Sequence, residues 1–332
     1  MTTPYLILAS EVPPIDVSWL WDGWLPVGKL VFLEGDPGCG KTTIALDLVA
    51  RITSGVEMPS GGRHGPGGAL VISAEDDAAD TLRPRLDAAG ADCGQVHFLH
   101  PESPMPALPS NSDWLAAEIV RTSSRLVVFD TTMAFLGAGI DSYRDQDVRR
   151  ALNPIVQTAR ETGATVLAIR HFRKSSSSSA INRGIGSVAF AGLARTVLSV
   201  AAHPDGKSMV LAQSKCNLAP KLRSRRFTIE GAEGAACISW GEECDLSADD
   251  LATMVPVSKG AVEAAKEWLE ETLGTGAIAA TEVKVLAEKA DIKQSTLRRA
   301  REALGITTSR SNDRSFWSLP PQLVQLAQLA HV

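Results

Sequence analysis

The segment GDPGCGKT at residues 35–42 constrains the fold of this 332-residue chain more than any other feature. It fits the pattern G-x-x-x-x-G-K followed by Ser or Thr, and it joins the apolar run KLVFLEG (29–35) to the helix-like run TTIALDLVARITS (42–54). Glycines let successive backbone N–H groups curl around phosphate groups, and the N-terminus of the next helix adds a positive field. The sequence therefore predicts a strand, a phosphate-binding loop and a helix, in that order.

The residue types in this loop predict its contacts to a nucleotide. Lys41 is expected to bridge the β- and γ-phosphates of ATP, and Thr42 to offer its hydroxyl to Mg²⁺. A second magnesium-side group should end another buried strand, and Asp130 ends the run RLVVFD. The predicted metal-binding residues are thus Thr42 and Asp130. The predicted nucleotide-binding residues are Gly35, Asp36, Pro37, Gly38, Cys39, Gly40, Lys41, Thr42 and Thr43.

Glu75 follows the apolar run ALVISA (69–74) and is the candidate general base. Such a base must be anionic and within hydrogen-bond reach of the attacking water. The next residues, Asp76 and Asp77, suit the capping of the following helix, and Asp76 is the weaker catalytic candidate.

Apolar runs of strand length recur through the first two thirds of the chain, with helical stretches between several of them. Continuous apolar runs suit strands that are buried on both faces, and the alternation with helices predicts a mostly parallel α/β sheet. Pro154 is expected to kink or divide the helix over 145–163. The runs from 196 to 229 are typical of hairpin strands.

The pattern changes after the acidic stretch GEECDLSADD (241–250). Residues 258–319 predict a small helix-turn-helix domain with a β-wing, in which Ser295 caps the second helix of the motif. We therefore divide the chain into four parts. These are a core over 1–240 with an entry segment 1–28, an acidic linker 241–257, a winged helix-turn-helix domain 258–320 and a tail 321–332.

Composition excludes several classes of protein. No window approaches 18 uninterrupted apolar residues, so no spanning helix and no membrane partner are expected. Five cysteines without a CxxC pair indicate neither a disulfide framework nor a zinc site, and they suit the cytoplasm. The net charge of −5 argues against a histone-like coat, yet basic residues cluster at 172–186, 215–226 and 293–314. Such patches favour a polyanionic partner that is touched at defined places.

The order strand, phosphate loop, strand, Glu75, strand, Asp130, strand, His171 resembles the RecA-type motor core. An AAA+ arrangement differs, because its glutamate normally follows the second aspartate directly, whereas Thr131 follows Asp130 here. The chain more closely resembles the RepA-like hexameric helicase family of plasmids and phages, including relatives with a C-terminal winged helix. The segments that carry this resemblance are WLWDGWLPVGKLVFLEGDPGCGKTT (19–43), ISAEDDAADTLRPRL (72–86), LVVFDTTMAFLG (126–137), IRHFRKS (169–175), NRGIGSVAFAGLARTVLSV (182–200) and QSKCNLAPKLRSRRFTIE (213–230). The resemblance covers about residues 10–240, with a looser match over 255–320.

The resemblance implies roles for further residues. His171 falls where RecA-like motors place a γ-phosphate sensor, and 171–187 falls on their DNA-binding loop. Arg173, Lys174 and Arg183 in that loop suit contacts to backbone phosphates of single-stranded DNA. An ordinary solvated loop is the alternative interpretation.

The resemblance also implies a cation that acts on the neighbouring subunit's ATP. Lys215 in SKCNLAP matches that position, and Asn217 stands where the family often has a second basic residue. Arg195 and Arg223 are therefore alternative trans-acting residues. A structural lysine at the sheet edge is the competing interpretation of Lys215.

In the C-terminal domain, Arg298, Arg299 and Arg301 are expected to lie on a recognition helix that reaches duplex DNA. Winged helices also dock proteins, and this alternative stays open.

These features together predict a Mg²⁺-dependent ATPase that acts as a ring-forming DNA helicase or translocase, with a homo-hexamer as the expected ring, in plasmid, phage or mobile-element replication. A primase or a replication-initiation protein is the expected protein partner. Two alternatives remain at the level of sequence: a RecA- or RadA-like recombination ATPase or mediator, and an ATP-gated DNA-binding regulator.

Overall fold

The computed structural model of the chain describes residues 6–63, 65–172, 180–182, 184–232, 235–253, 265–266, 268–270, 272–273, 276–290, 292–311 and 314–320. The chain divides into two compact units, residues 1–255 and 256–332. Within the described ranges, no helix combines the length and the apolarity needed to cross a membrane.

The first unit is built on a nine-stranded, mostly parallel sheet, which follows a two-stranded ribbon of β1 (Trp19–Trp21) and β2 (Leu25–Pro26). Its strands are β3 (Leu30–Gly35), β4 (Gly68–Ser73), β5 (Val96–Phe98), β6 (Ser124–Asp130), β7 (Thr165–His171), β8 (Thr196–Ala202), β9 (Met209–Cys216), β10 (Ser224–Ala232) and β11 (Ala235–Cys244). They lie in the order β11-β10-β9-β8-β3-β7-β6-β4-β5. The six strands from β8 to β5 are parallel, and β9, β10 and β11 continue the sheet antiparallel. The predicted RecA-like α/β fold is confirmed.

Helices cover both faces of this sheet, which explains why its central strands are continuously apolar. They are α1 (Lys41–Ser54), α2 (Arg83–Ala88), α3 (Ser112–Arg121), α4 (Asp145–Thr162), α5 (Ala189–Leu193) and α6 (Ala248–Thr253). The core on one face includes Ile44 and Leu48 of α1, and the core on the other includes Leu115 of α3 and Leu152 of α4. Burial on both sides fixes the sheet and therefore the position of its strand ends.

The parallel register brings the carboxyl ends of five strands to one edge. Gly35 of β3 pairs with His171 of β7 and with Val200 of β8, while Ser73 of β4 pairs with Asp130 of β6. Loops that leave these strands therefore start side by side, which is where ligands bind in open α/β sheets.

Two expectations for this unit need correction. Helix α4 is one continuous element with Pro154 inside it, so Pro154 does not divide the helix. Residues buried on both sides of Pro154, such as Leu152 and Ile155, pack on the same core and hold the helix together. The structure also places much of the expected linker 241–257 within the first unit, since β11 reaches Cys244 and Leu251 of α6 packs beside Val210.

The second unit contains helices α7 (Ala280–Lys289) and α8 (Gln294–Ala303), followed by a β-hairpin of β13 (Thr307–Ser311) and β14 (Arg314–Ser318). A short strand, β12 (Ile278–Ala279), pairs with β14, and residues that include Leu297 and Trp317 form a separate core. Ser295 does not cap α8, because the helix already begins at Gln294 and its N-cap residue is Lys293. The expected tail 321–332 lies outside the described residues.

Candidate nucleotide-binding site

The phosphate loop follows β3 and ends where α1 begins at Lys41. Gly38 and Gly40 have φ angles of 75° and 88°, a left-handed conformation that glycine adopts without strain. A Cβ atom on Gly40 would also lie only 2.5 Å from Cδ1 of Ile229. The positive φ therefore favours glycine at position 40, next to the first turn of α1, and a side chain there would also displace that of Ile229.

Lys41 is held inside the loop that precedes it. Its Nζ donates hydrogen bonds to the carbonyl oxygens of Gly35 at 3.1 Å and Asp36 at 2.8 Å, and it lies 3.8 Å from Sγ of Cys39. Burial raises the pKa of the Cys39 thiol, which keeps the thiol protonated and uncharged beside Lys41. The Lys41 ammonium group therefore supplies the positive charge here, and phosphate oxygens can replace the carbonyl oxygens of Gly35 and Asp36 as its hydrogen-bond acceptors.

Thr42 and Asp130 come from distant parts of the chain and meet at the edge of the sheet. The Thr42 hydroxyl donates a hydrogen bond to Oδ2 of Asp130 at 2.6 Å. Asp130 is only 2% exposed, and burial raises the pKa of its carboxyl to about 6 although the Thr42 hydrogen bond lowers it. Its second oxygen, Oδ1, is buried and has no hydrogen-bond partner among the residues that the structure describes.

This donor set fits magnesium. Mg²⁺ is usually held by one or two carboxylates together with phosphate oxygens and waters. Oδ1 of Asp130, which has no hydrogen-bond partner among the described residues, is a carboxylate oxygen that could bind it. A bound cation would also favour the ionised form of Asp130, whose pKa is raised by burial. Thr42 and Asp130 are therefore the residues that would hold it, as the sequence predicts.

Glu75 and His171 lie close together at the same edge. Oε1 of Glu75 is 3.3 Å from Nε2 of His171 and accepts a hydrogen bond from the Thr131 hydroxyl at 3.3 Å. The Glu75 side chain is 48% exposed, so water reaches it. Its neighbours have other contacts: Asp76 pairs with Arg85 at 2.9 Å, and Asp77 caps the following helical turn through the Ala79 amide. Glu75 thus has the accessible position that a general base needs.

The segment after β7 returns to His171. Phe172 forms an isolated antiparallel bridge with Gly184, and the Ile185 amide donates to the carbonyl oxygen of His171 at 2.9 Å. Arg173, Lys174 and Arg183 lie outside the described residues. The described ends of the predicted DNA loop are therefore attached directly to the residue that contacts Glu75.

Lys215 does not belong to the site formed by its own chain's phosphate loop. It pairs with Val197 near the start of β8, and its Nζ donates to the carbonyl oxygens of Ala191 at 2.7 Å and Ala194 at 2.8 Å. Burial lowers the pKa of Lys215, and the neighbouring Arg195 lowers it further. Of the two alternatives, Arg195 is exposed, whereas Arg223 pairs with Asp245 at 2.8 Å.

In the second unit, Arg298 and Arg299 lie on α8. Arg298 is exposed and is 3.7 Å from Glu302, and Arg299 is half-buried. A cavity of about 200 Å³ is lined by Lys284, Gln294, Leu297, Arg298, Arg301 and Trp317. The guanidinium of Arg301 lies over the Trp317 ring at 4.7 Å. Cations therefore gather on one side of α8.

Several residues near the nucleotide site were not singled out from the sequence. Ile229 of β10 covers Gly40, and the Trp240 indole of β11 donates to Asp47 of α1 at 2.8 Å. The contact of Thr131 with Glu75 is not predictable from the sequence either, because nothing in the local pattern of Thr131 distinguishes it from a turn residue. Two buried charges, Glu34 and Arg170, did leave a signal, because each interrupts an apolar strand run.

A comparison with protein families identifies the part of the chain that contains this site. Residues 4–177, slightly more than half of the chain, match the model of the family AAA_25, described as an AAA domain. The matched range includes the phosphate loop, Glu75, Asp130 and His171. No curated protein matches the chain at a significant level.

Proposed function

Because the chain belongs to the AAA_25 family of AAA domains, we propose that it is a Mg²⁺-dependent ATPase of RepA-like type that works as a ring-forming DNA helicase or translocase. The observation that carries the proposal is the pairing of Thr42 with Asp130 and of Glu75 with His171 at one edge of the sheet. His171 therefore belongs both to the candidate hydrolytic site, through Glu75, and to the start of the basic segment that follows it.

Lys41, bound magnesium and Glu75 would each contribute to ATP hydrolysis. Lys41 leaves the loop carbonyls for the β- and γ-phosphate oxygens and neutralises charge that develops there. Magnesium, when bound beside Thr42 and Asp130, supplies further neutralisation of the phosphates. Glu75 orients the attacking water and accepts its proton, while Thr131 and His171 hold the carboxylate in place.

His171 is the proposed link between chemistry and motion. A γ-phosphate near Glu75 offers Nε2 of His171 a competing acceptor, so the 3.3 Å contact between the two side chains changes with nucleotide state. The carbonyl oxygen of His171 accepts a hydrogen bond from the Ile185 amide. Ile185 follows the C-terminal end of the segment that carries Arg173, Lys174 and Arg183. Cycles of hydrolysis would move this segment along single-stranded DNA.

The position of Lys215 supports assembly into a ring. Val197, its partner, lies three residues before Val200, the β8 partner of Gly35, which is about 10 Å along the strand. Its amine points further away, to carbonyls that precede β8. Lys215 is therefore a cation at the opposite edge of the sheet from its own phosphates, which suits action on a neighbouring subunit better than action on its own site, and Arg195 lies beside it as a second cation.

A mixing experiment tests the role of Lys215. Subunits with Lys215→Ala should bind ATP and hydrolyse it poorly, since each site lacks its neighbour's cation. Adding Lys41→Ala subunits, whose own sites are inactive, should restore part of the activity, because some Lys215→Ala sites then face an intact Lys215. The effect should be below the ~10³-fold typical of arginine, because lysine is a point charge without a bidentate fork.

The control for this experiment is Lys207→Ala, which removes an exposed lysine from the β8–β9 turn and should leave hydrolysis unchanged. If Lys215 only holds the carbonyls of Ala191 and Ala194, mixing restores nothing at any ratio. A chain that stays monomeric with ATP and DNA in light scattering would equally exclude a trans-acting cation.

Single-stranded DNA binding by the segment after His171 is tested through salt dependence. Neutralising Arg173, Lys174 and Arg183 together should weaken binding similarly for all sequences. It should also reduce the slope of log K against log salt by about 2, since each lost phosphate contact removes about 0.7 for single strands. DNA-stimulated hydrolysis should fall in parallel. The measurement is fluorescence anisotropy of a labelled oligonucleotide at several salt concentrations.

The matched control neutralises three exposed basic residues elsewhere: Arg121, Arg160 and Lys207. Both triple variants change the net charge equally, so a general electrostatic effect would lower both slopes. An unchanged slope in the first variant, or an equal change in both, removes the segment from the DNA path.

For the second unit we propose the role of a winged helix, with α8 as the helix that meets duplex DNA. The order α7, α8 and a β-hairpin supports this assignment, as do the exposed Arg298 and the neighbouring Arg299 on α8. The same surface could serve a primase or a replication-initiation protein.

Unwinding of a partial duplex distinguishes a helicase from an ATP-gated regulator, and negative-stain images distinguish a ring from a recombinase filament.

A further inference from the structure

A buried ion pair joins the strand before the phosphate loop to the strand before His171. Glu34 of β3 and Arg170 of β7 are register partners, and Nη2 of Arg170 donates a hydrogen bond to Oε1 of Glu34. Their side chains are 0% and 1% exposed. Each charge is therefore one residue away from a group of the nucleotide site, Gly35 in one case and His171 in the other.

Stability alone does not account for this pair. Burying two charges costs several kcal/mol each, and apolar side chains of similar volume usually serve a core as well or better. The Arg170 guanidinium lies among aromatic rings, 5.3 Å from the centroid of Phe32 and 4.7 Å from that of Phe190. Nε of Arg170 and Oε2 of Glu34 have no hydrogen-bond partner among the described residues. A pair whose hydrogen bonding is incomplete in an apolar core indicates a requirement other than packing.

The second amino group of Arg170 makes a contact that a requirement other than packing would explain. Nη1 of Arg170 donates a hydrogen bond to the carbonyl oxygen of Ile185 at 3.3 Å. The amide of Ile185 in turn donates to the carbonyl oxygen of His171. Gly184 packs so closely that a Cβ atom there would lie 2.1 Å from Nη2 of Arg170. One planar guanidinium thus contacts the phosphate-loop strand and the segment that returns to His171.

We propose that Arg170 is a positioning residue that couples β3 and its phosphate loop to Gly184–Ile185, so that a shift at the nucleotide changes the hold on this returning segment. Only arginine presents donors in a rigid fork that can reach both partners at once, whereas lysine presents a point charge. Glu34 anchors the fork to the loop strand. Gly184 lacks a side chain because the guanidinium occupies that space.

Hydrogen exchange at the Ile185 amide tests the coupling without DNA. In the wild-type chain, Mg²⁺ with a non-hydrolysable ATP analogue should change the exchange rate of amides in 184–187. Arg170→Lys keeps the charge opposite Glu34 and loses the fork. Exchange at Ile185 should then become about tenfold faster, the effect of losing a hydrogen bond from a charged donor, and it should no longer respond to the analogue.

A second variant keeps the test decisive if Arg170→Lys does not fold. Glu34→Leu combined with Arg170→Met removes both charges of this pair and should fold, as judged by its thermal midpoint. It should also lose the nucleotide response at Ile185. The matched control is Arg150→Lys, which alters an exposed arginine that pairs with Asp147 on α4 and should respond like the wild type. A folded variant of the Glu34–Arg170 pair that keeps the wild-type response overturns the proposal, as does a wild-type chain without any response.

The consequence for DNA rests on the proposed function and is measured separately. Stimulation of hydrolysis by single-stranded DNA, expressed as the ratio of kcat with and without DNA, should fall toward one in Arg170→Lys. If the wild type shows the nucleotide response at Ile185 and no stimulation by DNA, the proposed DNA motor is wrong while the coupling stands. If stimulation is present and Arg170→Lys retains it in full, the coupling has no role in the motor.

Discussion

Replacing Lys41 by alanine is expected to lower ATP hydrolysis by about 10³-fold and to weaken nucleotide binding. The amine of Lys41 is buried within the loop and lies 2.8 Å from the Asp36 carbonyl, where phosphate oxygens can take the place of that acceptor. Alanine leaves the backbone N–H groups in place and removes the cation that neutralises charge on the transferred group. Phosphate release at saturating ATP measures the first effect, and calorimetric titration with ATP measures the second.

The control is Lys29→Ala, at the residue before β3 and therefore at the opposite end of the strand that feeds the loop. It alters a partly buried lysine near the same strand, at the end distant from the phosphate loop, and should leave both measurements within about twofold of wild type. Hydrolysis by Lys41→Ala within tenfold of the wild-type rate would show that this loop is not the hydrolytic site.

Replacing Glu75 by glutamine should leave ATP binding intact and slow hydrolysis by about 10³-fold, within the usual contribution of a general base. The amide keeps the size of the side chain and can still meet Thr131 and His171, but it cannot accept a proton from water at neutral pH. Binding and turnover should therefore separate in this variant. A single-turnover assay with pre-bound nucleotide isolates the chemical step.

Asp76→Asn is the matched comparison, because Asp76 is the adjacent acid and pairs with Arg85. It should hydrolyse ATP close to the wild-type rate. Slow hydrolysis in Asp76→Asn together with normal hydrolysis in Glu75→Gln would move the general base to Asp76. Normal rates in both variants would place the base elsewhere.

Much of the nucleotide site could be predicted from the sequence because its chemistry is local. Two glycines, a lysine and a threonine at set spacings predict a phosphate loop where a strand precedes them and a helix follows. Asp130 and Glu75 were predictable for a related reason: each ends an apolar run, and the carboxyl ends of parallel strands share one edge. The parallel α/β sheet followed from the same runs.

Boundaries were harder to predict than elements. The acidic composition of 241–257 indicated a linker, yet Ala248 and Leu251 pack against strands of the first unit. Pro154 indicated a break, yet α4 continues because buried residues on both sides of it lie on one core. In both places a local preference was outweighed by burial of apolar surface, which depends on residues distant in the chain.

The sequence by itself was sufficient to predict the candidate residues for phosphate and magnesium, because that prediction depends on backbone conformation and side-chain chemistry within short segments. Tertiary structure alone decided which side chains surround them. Glu34 meets Arg170 through the β3–β7 register, and Arg170 meets Ile185 through the return of the chain to His171. Ile229 covers Gly40 only because β10 extends the sheet beside the loop. Register between distant strands is set by the packing of the whole sheet, so no local pattern along the chain carries these contacts.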